Sequence, residues 1–398
     1  MVWVVMPEDN SGTKRRNVLK ATSGVVAAGA FSGLASASDA TVEVNVGYEN
    51  DRGRGAAKQA ASEIVREFDF DALTMRVGRK AIEGLENNPN VRYVEENGTM
   101  EALAQSLPWG QGRIDSEVAH ANGETGAGAD IAILDTGIDS DHPDLAANIG
   151  EGKAFVSCST KGGCRYGAKP ADNTCYTSWD DDNDHGTHCA GIADAIDNSK
   201  GVVGASTEAT LHAVKVLDTC GSGSFSDIAA GVEYVANQGW DVASMSLGGS
   251  SSSSALKDAC QYAYDKGVFL VGAAGNSGPC TDCVGYPAAY DTVVAVSSTN
   301  ESDGLSSFSS TGPEVEIAAP GSNINSTVPG GYAEFSGTSM ACPHVAGAAG
   351  QLMADGLTNT ETRSKLNSTA EDIGLASNES GNGLLDLAAA LGYDSSNN

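Results

Sequence analysis

Basic residues are scarce in this sequence. Its 398 residues hold 23 Lys and Arg against 52 Asp and Glu, a net charge of −29. The pI is near 4.3. A surface this negative repels phosphate backbones and acidic lipid, which excludes nucleic acid and anionic membrane as partners. Long apolar runs are also missing. The one modestly apolar stretch near the start, residues 25–34, is rich in Gly and Ala and too short to span a bilayer. No internal repeat is present. The nine cysteines lack the paired spacing that holds zinc, which excludes a zinc module. Aromatic residues are few, at 6%, within a hydrophobic share of 40% that suits a soluble globular protein.

The acidity itself has two readings. A disordered acidic chain would cluster its charge and lose its apolar patterns. Here acidic residues are spread singly among apolar ones, and strand-like and helix-like periodicities persist. A folded protein suited to high salt fits better, because about 1 M salt screens self-repulsion within a few ångströms.

Segments differ along the chain. Arg15, Arg16 and Lys20 precede the weak apolar run, which ends in Ala35-Ser36-Ala37, the small-x-small pattern of a signal-peptidase site. Residues 1–37 therefore read as an export signal of twin-arginine type, and the protein as secreted. Residues 38–103 follow as a small α+β module. "TVEVNVGY" alternates like a strand, and "GAAKQAASEIVREF" carries helical spacing. "ALTMRVG" reads as a strand, "RKAIEGLENN" as a helix and "VRYVEE" as a strand.

Residues 104–398 alternate short apolar runs with helical patterns. "DIAILD", "TLHAVKVL", "VASMSL", "GVFLVGAA" and "DTVVAVSS" read as buried parallel strands. "FSDIAAGVEYVANQ", "SALKDACQYAYDK" and "MACPHVAGAAGQLMADG" read as helices. The alternation predicts an α/β fold, a doubly wound and mostly parallel sheet. Sites in such sheets lie beyond the carboxyl ends of the strands.

At those ends stand an Asp, a His and a Ser, in that chain order. Asp135 follows "IAIL", His185 opens a helical pattern in "DDDNDHGTHCAG", and Ser339 precedes a helix in "GTSMACPHVAG". A serine hydroxyl is a weak nucleophile. It needs an imidazole to take its proton, and the imidazole needs a carboxylate to fix its tautomer. Asn276 follows the strand "FLVGAAG". Cys342 lies inside the helix and reads as a buried small residue, as does Cys189. His188 and His344 read as packed structural histidines. The run at residues 180–184, "DDDND", reads as a solvated acidic loop whose charge raises the pKa of His185.

"LDTGIDSDHPDL", "HGTHCAG", "SLGG", "AAGNSG" and "GTSMACPHVAG" together resemble the subtilisin-like serine proteases. The resemblance covers nearly all of residues 104–398. It implies that Asp135 orients, His185 is the base and then the acid, Ser339 attacks, and Asn276 donates to the oxyanion. It implies peptide binding between Gly221, Ser222 and Gly223 on one side and Ser246, Leu247 and Gly248 on the other. Gly275 and Gly285 would leave room for a large P1 side chain, and Phe225, Ile228 and Leu247 would line an apolar pocket further along. Residues 38–103 would be a propeptide acting as chaperone and inhibitor, cut at Leu103–Ala104 with Met100 at P4. The family's structural Ca²⁺ site would use Gln105, Asp144, Ile196, Asn198, Lys200 and Val202. Acidity, export signal and motifs together resemble the halolysins, secreted proteases of halophilic archaea. Halolysins usually carry a C-terminal extension, and this sequence stops soon after the catalytic region. The expected partners are protein or peptide substrates and the propeptide, with the chain a monomer. Bridges between Cys175 and Cys220 and within "CTDC" (Cys280, Cys283) are expected, with Cys260 on an apolar helix face.

Overall fold

The computed structural model describes residues 41–97, 105–160 and 175–395. The export segment, Met100, Leu103, Ala104 and Cys164 lie outside the described residues. Among the described residues, no helix is long and apolar enough to cross a membrane. The chain divides into two compact units, Met1–Glu101 and Ala102–Asn398.

The first unit runs β1 (Thr41–Tyr48), α1 (Asp51–Ala60), β2 (Ala61–Phe68), β3 (Ala72–Gly78), α2 (Arg79–Glu86) and β4 (Val91–Glu96). Its four strands lie in the order β2-β3-β1-β4, all pairs antiparallel. This β-α-β-β-α-β order is ferredoxin-like. Asn50 starts α1, its side chain accepting from the N–H groups of Arg52 and Gly53. The sequence reading carries one helix through residues 55–68 and misses β2. The chain leaves the helix at Ala61, and β2 pairs with β3 alone. Ile64 and Val65 are 42% and 45% exposed there. Apolar residues at helical spacing suited either state. β-Branched side chains and pairing along β3 settled it as an edge strand.

The second unit opens with two short helices, α3 (Trp109–Arg113) and α4 (Ser116–Ala121). It continues through β5 (Asp130–Asp135), β6 (Lys153–Ala154), α5 (His185–Asp194), β7 (Thr210–Lys215), α6 (Phe225–Gln238), β8 (Val242–Met245), α7 (Ser254–Asp265), β9 (Phe269–Ala273) and β10 (Val294–Thr299). Then come β11 (Val315–Pro320), β12 (Ile324–Val328), β13 (Gly331–Phe335), α8 (Thr338–Ala354) and α9 (Asn359–Thr369). Seven strands form a parallel sheet in the order β11-β10-β9-β8-β5-β7-β6. The doubly wound α/β fold is therefore as expected.

Alternation along β5 builds the two cores. Ile131 and Ile133 face a cluster with Cys189 and Ala190 of α5 and Val345 of α8. Ala132 and Leu134 face the opposite cluster, with Val232 and Val235 of α6 and Cys260 of α7. The sheet is covered on both faces, as continuous apolar strands require. Strand order turns at β5, whose neighbours are β7 and β8. The carboxyl end of β5 is thus the switch point where such sheets bind ligands, and its last residue is Asp135.

Candidate active site

Asp135 is fully buried. Its main-chain oxygen accepts from the N–H groups of Val216 and Leu217 at 3.0 and 3.1 Å, and its Oδ1 from the Thr136 N–H at 2.7 Å. Held at both ends, its carboxylate meets His185 Nδ1 at 2.8 Å through Oδ1 and 3.0 Å through Oδ2. His185 is the first residue of α5, and its side chain is 28% exposed. Gly186 behind it lies against the Gly137 carbonyl, so any side chain there would collide. Burial alone would lower the His185 pKa, but the adjacent Asp135 outweighs it and holds the imidazole well above its usual range. The direction expected from sequence holds. Its main source is Asp135 rather than the acidic run.

The first three residues of that run are not solvated. Asp180, Asp181 and Asp182 are all buried. Asp180 accepts from Ser140 and Thr177 hydroxyls at 2.7 and 3.1 Å. Asp181 Oδ1 accepts from the Thr136 hydroxyl at 2.8 Å, and Oδ2 from the Thr187 hydroxyl and N–H at 2.7 and 2.9 Å. Asp182 pairs with the buried Lys215 at 2.6 Å. Each carboxylate finds donors inside the fold, which repays its desolvation.

Ser339 sits in the first turn of α8, after Gly337 and Thr338. Pro343 within that helix has no N–H to offer the Ser339 carbonyl. The freed carbonyl instead accepts from Ser246 Oγ at 2.8 Å and Cys189 Sγ at 3.5 Å. Ser339 Oγ donates to the Ser246 carbonyl at 3.2 Å, and no hydrogen bond joins it to His185. Catalytic contacts of this kind are often long before substrate binds. Asn276 Oδ1 accepts from the Thr338 N–H and hydroxyl at 2.9 and 3.0 Å. With its oxygen so committed, only its N–H₂ is left to point elsewhere. Gly275 beside it has φ +113, a conformation side chains rarely adopt.

A cleft of about 560 Å³ runs past His185. Gly221, Ser222, Gly223, Phe225, Ile228, Ser246, Leu247 and Gly248 all line it, as expected. Gly275 and Gly285 do not, although they lie close to one another. Sequence reasoning missed Asn183, Asp184, Leu217, Tyr286 and Phe335, which also line it. Tyr286 carried a usable signal, since it directly follows Gly285.

The other nucleophile candidates are closed off. Cys342 is fully buried and its thiol is pushed up to about 12 by that burial. Burial raises the Cys189 thiol as well. His344 is pushed down to about 4 by burial and contacts the Met340 carbonyl at 2.9 Å. His188 is pushed down to about 3, lies at 3.0 Å from the Ala333 carbonyl, and stacks on Phe335. Cys189, Cys260 and Cys342 are free. Cys175 pairs with Cys158, not Cys220, their Cα atoms 5.7 Å apart. Sequence spacing does not encode connectivity, and the fold brought Cys158 nearer. Cys280 and Cys283 are joined as expected.

The residues expected to hold calcium also come together. Gln105 Nε2 donates to the carbonyls of Ile196 and Val202 at 2.9 and 3.2 Å, and Gln105 Oε1 accepts from the Asn198 N–H at 3.1 Å. The buried Asp144 carboxylate accepts from Asn198 Nδ2 and the Val202 N–H, both at 3.0 Å, and from the Tyr332 hydroxyl at 2.9 Å. Lys200 enters through its N–H, which Asn198 Oδ1 accepts at 2.6 Å. The Asp144 carboxylate, the Gln105 and Asn198 side-chain amides and the carbonyls of the 196–202 loop, drawn together from three segments, form a hard oxygen set that fits Ca²⁺.

Comparison with known proteins agrees with this geometry. The family model described as "Subtilase family" matches residues 126–385. The chain is 40% identical over 338 residues to subtilisin amylosacchariticus of Bacillus subtilis subsp. amylosacchariticus, covering 83% of this chain and 84% of the relative. It is 41% identical over 332 residues to an alkaline protease of Alkalihalobacillus alcalophilus, covering 82% and 81%. A thermostable alkaline protease of Halalkalibacterium halodurans matches at 41% over the same length, covering 82% and 85%. A family-model match over residues 126–385 and relatives at 40–41% identity over more than four fifths of the chain, with His185 paired to the buried Asp135, place the chain in the subtilase family of serine endopeptidases.

Proposed function

We propose that Asp135, His185 and Ser339 are the working triad of a secreted endopeptidase that processes itself. The observation that carries this is the 2.8 Å contact between His185 Nδ1 and the buried Asp135 carboxylate. It leaves Nε2 as the free base facing the cleft. A peptide lying between Gly221–Gly223 and Ser246–Gly248 adds as an extended strand through main-chain hydrogen bonds. His185 takes the Ser339 proton as Oγ attacks the scissile carbonyl, and Asp135 stabilises the imidazolium formed. The oxyanion is met by the Asn276 side-chain N–H and the Ser339 main-chain N–H. His185 then protonates the leaving amine, and water hydrolyses the acyl-enzyme by the same path. The apolar walls from Phe225, Ile228 and Leu247 favour large apolar residues.

Leu103 and Met100 are of that apolar kind, which supports cutting at Leu103–Ala104 and a propeptide over residues 38–103. The net charge of −29 supports work in high salt, as in halolysins. Ca²⁺ would be held by Asp144, Gln105 and Asn198 with carbonyls of Ile196, Lys200 and Val202, and would stiffen the loop.

Ser339→Ala and wild type, expressed in molar salt, test the reading by the N-terminus each protein carries. Wild type beginning at or near Ala104, with the variant still joined to its prosegment, is the expected result. Identical cutting of both would overturn self-processing. Labelling by a fluorophosphonate with resistance to iodoacetamide is expected, and the reverse pattern would overturn the serine assignment.

A further inference from the structure

Lys215 is fully buried, one of the large side chains among the described residues that are. It ends β7, in register with Asp135 at the end of β5. Its ammonium donates to the Thr136 carbonyl at 2.5 Å, to Asp182 Oδ1 at 2.6 Å and to the Leu217 carbonyl at 3.0 Å. All three protons are therefore used. The three acceptors belong to three different parts of the site. Thr136 follows the carboxylate Asp135, Asp182 stands three residues before the base His185, and Leu217 lines the cleft. Asp182 is fastened in turn. Its Oδ2 accepts from the Ser159 N–H at 2.6 Å and its carbonyl from the Thr219 hydroxyl at 2.8 Å.

Stability does not account for such a pair. Replacing a buried ion pair with neutral groups of similar volume is often neutral or stabilising, because both charges must be desolvated. A second role is needed. We propose that the Lys215–Asp182 pair sets the distance between the Asp135 turn and the His185 loop, making Lys215 a positioning residue for the triad. The pair acts as a clamp across two segments that sequence leaves 50 residues apart at Asp135 and His185.

The test is the double variant Lys215→Met with Asp182→Asn, made in the full chain and assayed after maturation. It removes one charge of each sign, so the net charge of the protein is unchanged. The other groups facing His185 remain, namely Asp135 on β5, Cys189 and His188 on α5, and Asp181 and Asp184 in its own loop. We expect kcat to fall about tenfold to 10²-fold with a smaller change in KM, since misplacement near 1 Å costs about that much. The acid limb of kcat/KM should move to lower pH, because a looser Asp135 contact stabilises the imidazolium less. A merely structural pair would leave that limb unmoved. A folded double variant with an unmoved limb overturns the proposal, whatever its kcat. Thr219→Val, which removes one support of Asp182 and nothing from the triad, is measured in parallel so that a misfolded double variant leaves the test standing. It should move the limb in the same direction by less, and no movement overturns the proposal. The inference rests on the triad reading. Fluorophosphonate labelling of wild-type Ser339 tests that separately, so the two failures are distinct.

Discussion

The two halves of the proposed catalytic site are built differently. On one side, Asp135 and His185 rest on a dense buried network. Thr136, Asp181, Asp182, Thr187 and Lys215 hydrogen-bond one another and fasten β5, β7 and the start of α5 together. On the other side, Ser339 and Asn276 are held by a few hydrogen bonds among Thr338, Ser246 and a glycine-rich frame. The first side must hold a buried carboxylate against an imidazole in the protein at rest. In the proposed mechanism the second only aims an uncharged hydroxyl and an uncharged amide at charge that develops during reaction. Burial and redundancy go where charge is permanent. Economy suffices where charge is transient.

Replacing Asn276 is the strongest way to break that contrast. Asn276→Leu should lower kcat by about 10²–10³ with little change in KM, as loss of one oxyanion donor does in a subtilisin. Because few groups depend on Asn276, the melting temperature should shift little. Kinetics and thermal unfolding on one preparation check both halves. A large fall in stability would show that this side carries structural weight after all. Calcium sharpens the contrast away from the cleft. Chelation should lower the melting temperature, and added Ca²⁺ should restore it, by about 2.7 kcal/mol at a hundredfold excess over Kd. Asp144→Ala should remove that dependence, which a melting-temperature titration against Ca²⁺ would read directly.

The same contrast explains what could be read from sequence. Asp135, Ser339 and Asn276 each sit where a strand or helix begins or ends, so element boundaries and short motifs located them. The network beneath was hidden. Lys215 lies in "TLHAVKVL", a run that reads as an apolar parallel strand, and a lone cation there gives no sign of its three acceptors. Residues 180–182 form an acidic run that composition assigns to solvent. Their donors, Ser140, Thr187 and Lys215, come from three other segments, and only the folded chain brings them within reach. The strand β2 was missed for the related reason that its pairing with β3, not its own pattern, decides its state. The Cys158–Cys175 bridge depends on proximity in space, which spacing along the chain does not carry.

Asp139 offers the finest probe of the buried side. It is 8% exposed, and its N–H donates to the Thr187 hydroxyl at 3.0 Å. Burial first, then Asp141, Asp180 and Asp181 nearby, push its carboxyl up to about 7. A carboxyl whose pKa is higher folded than unfolded favours folding while protonated. That contribution is full below about 4, the unfolded value, and is lost as pH rises through about 7. Above that range the fold holds one more buried anion, beside the buried Asp180 and Asp181 and the exposed Asp141. Asp139→Asn keeps the shape and removes the charge. It should therefore raise the melting temperature at pH 8 and leave it nearly unchanged at pH 4. Unfolding curves of variant and wild type across that range, taken at one fixed salt and calcium concentration, decide the point. Equal gains at both pH values would mean that shape rather than charge is responsible, and that the acidic groups around Asp139 are better compensated than its burial implies.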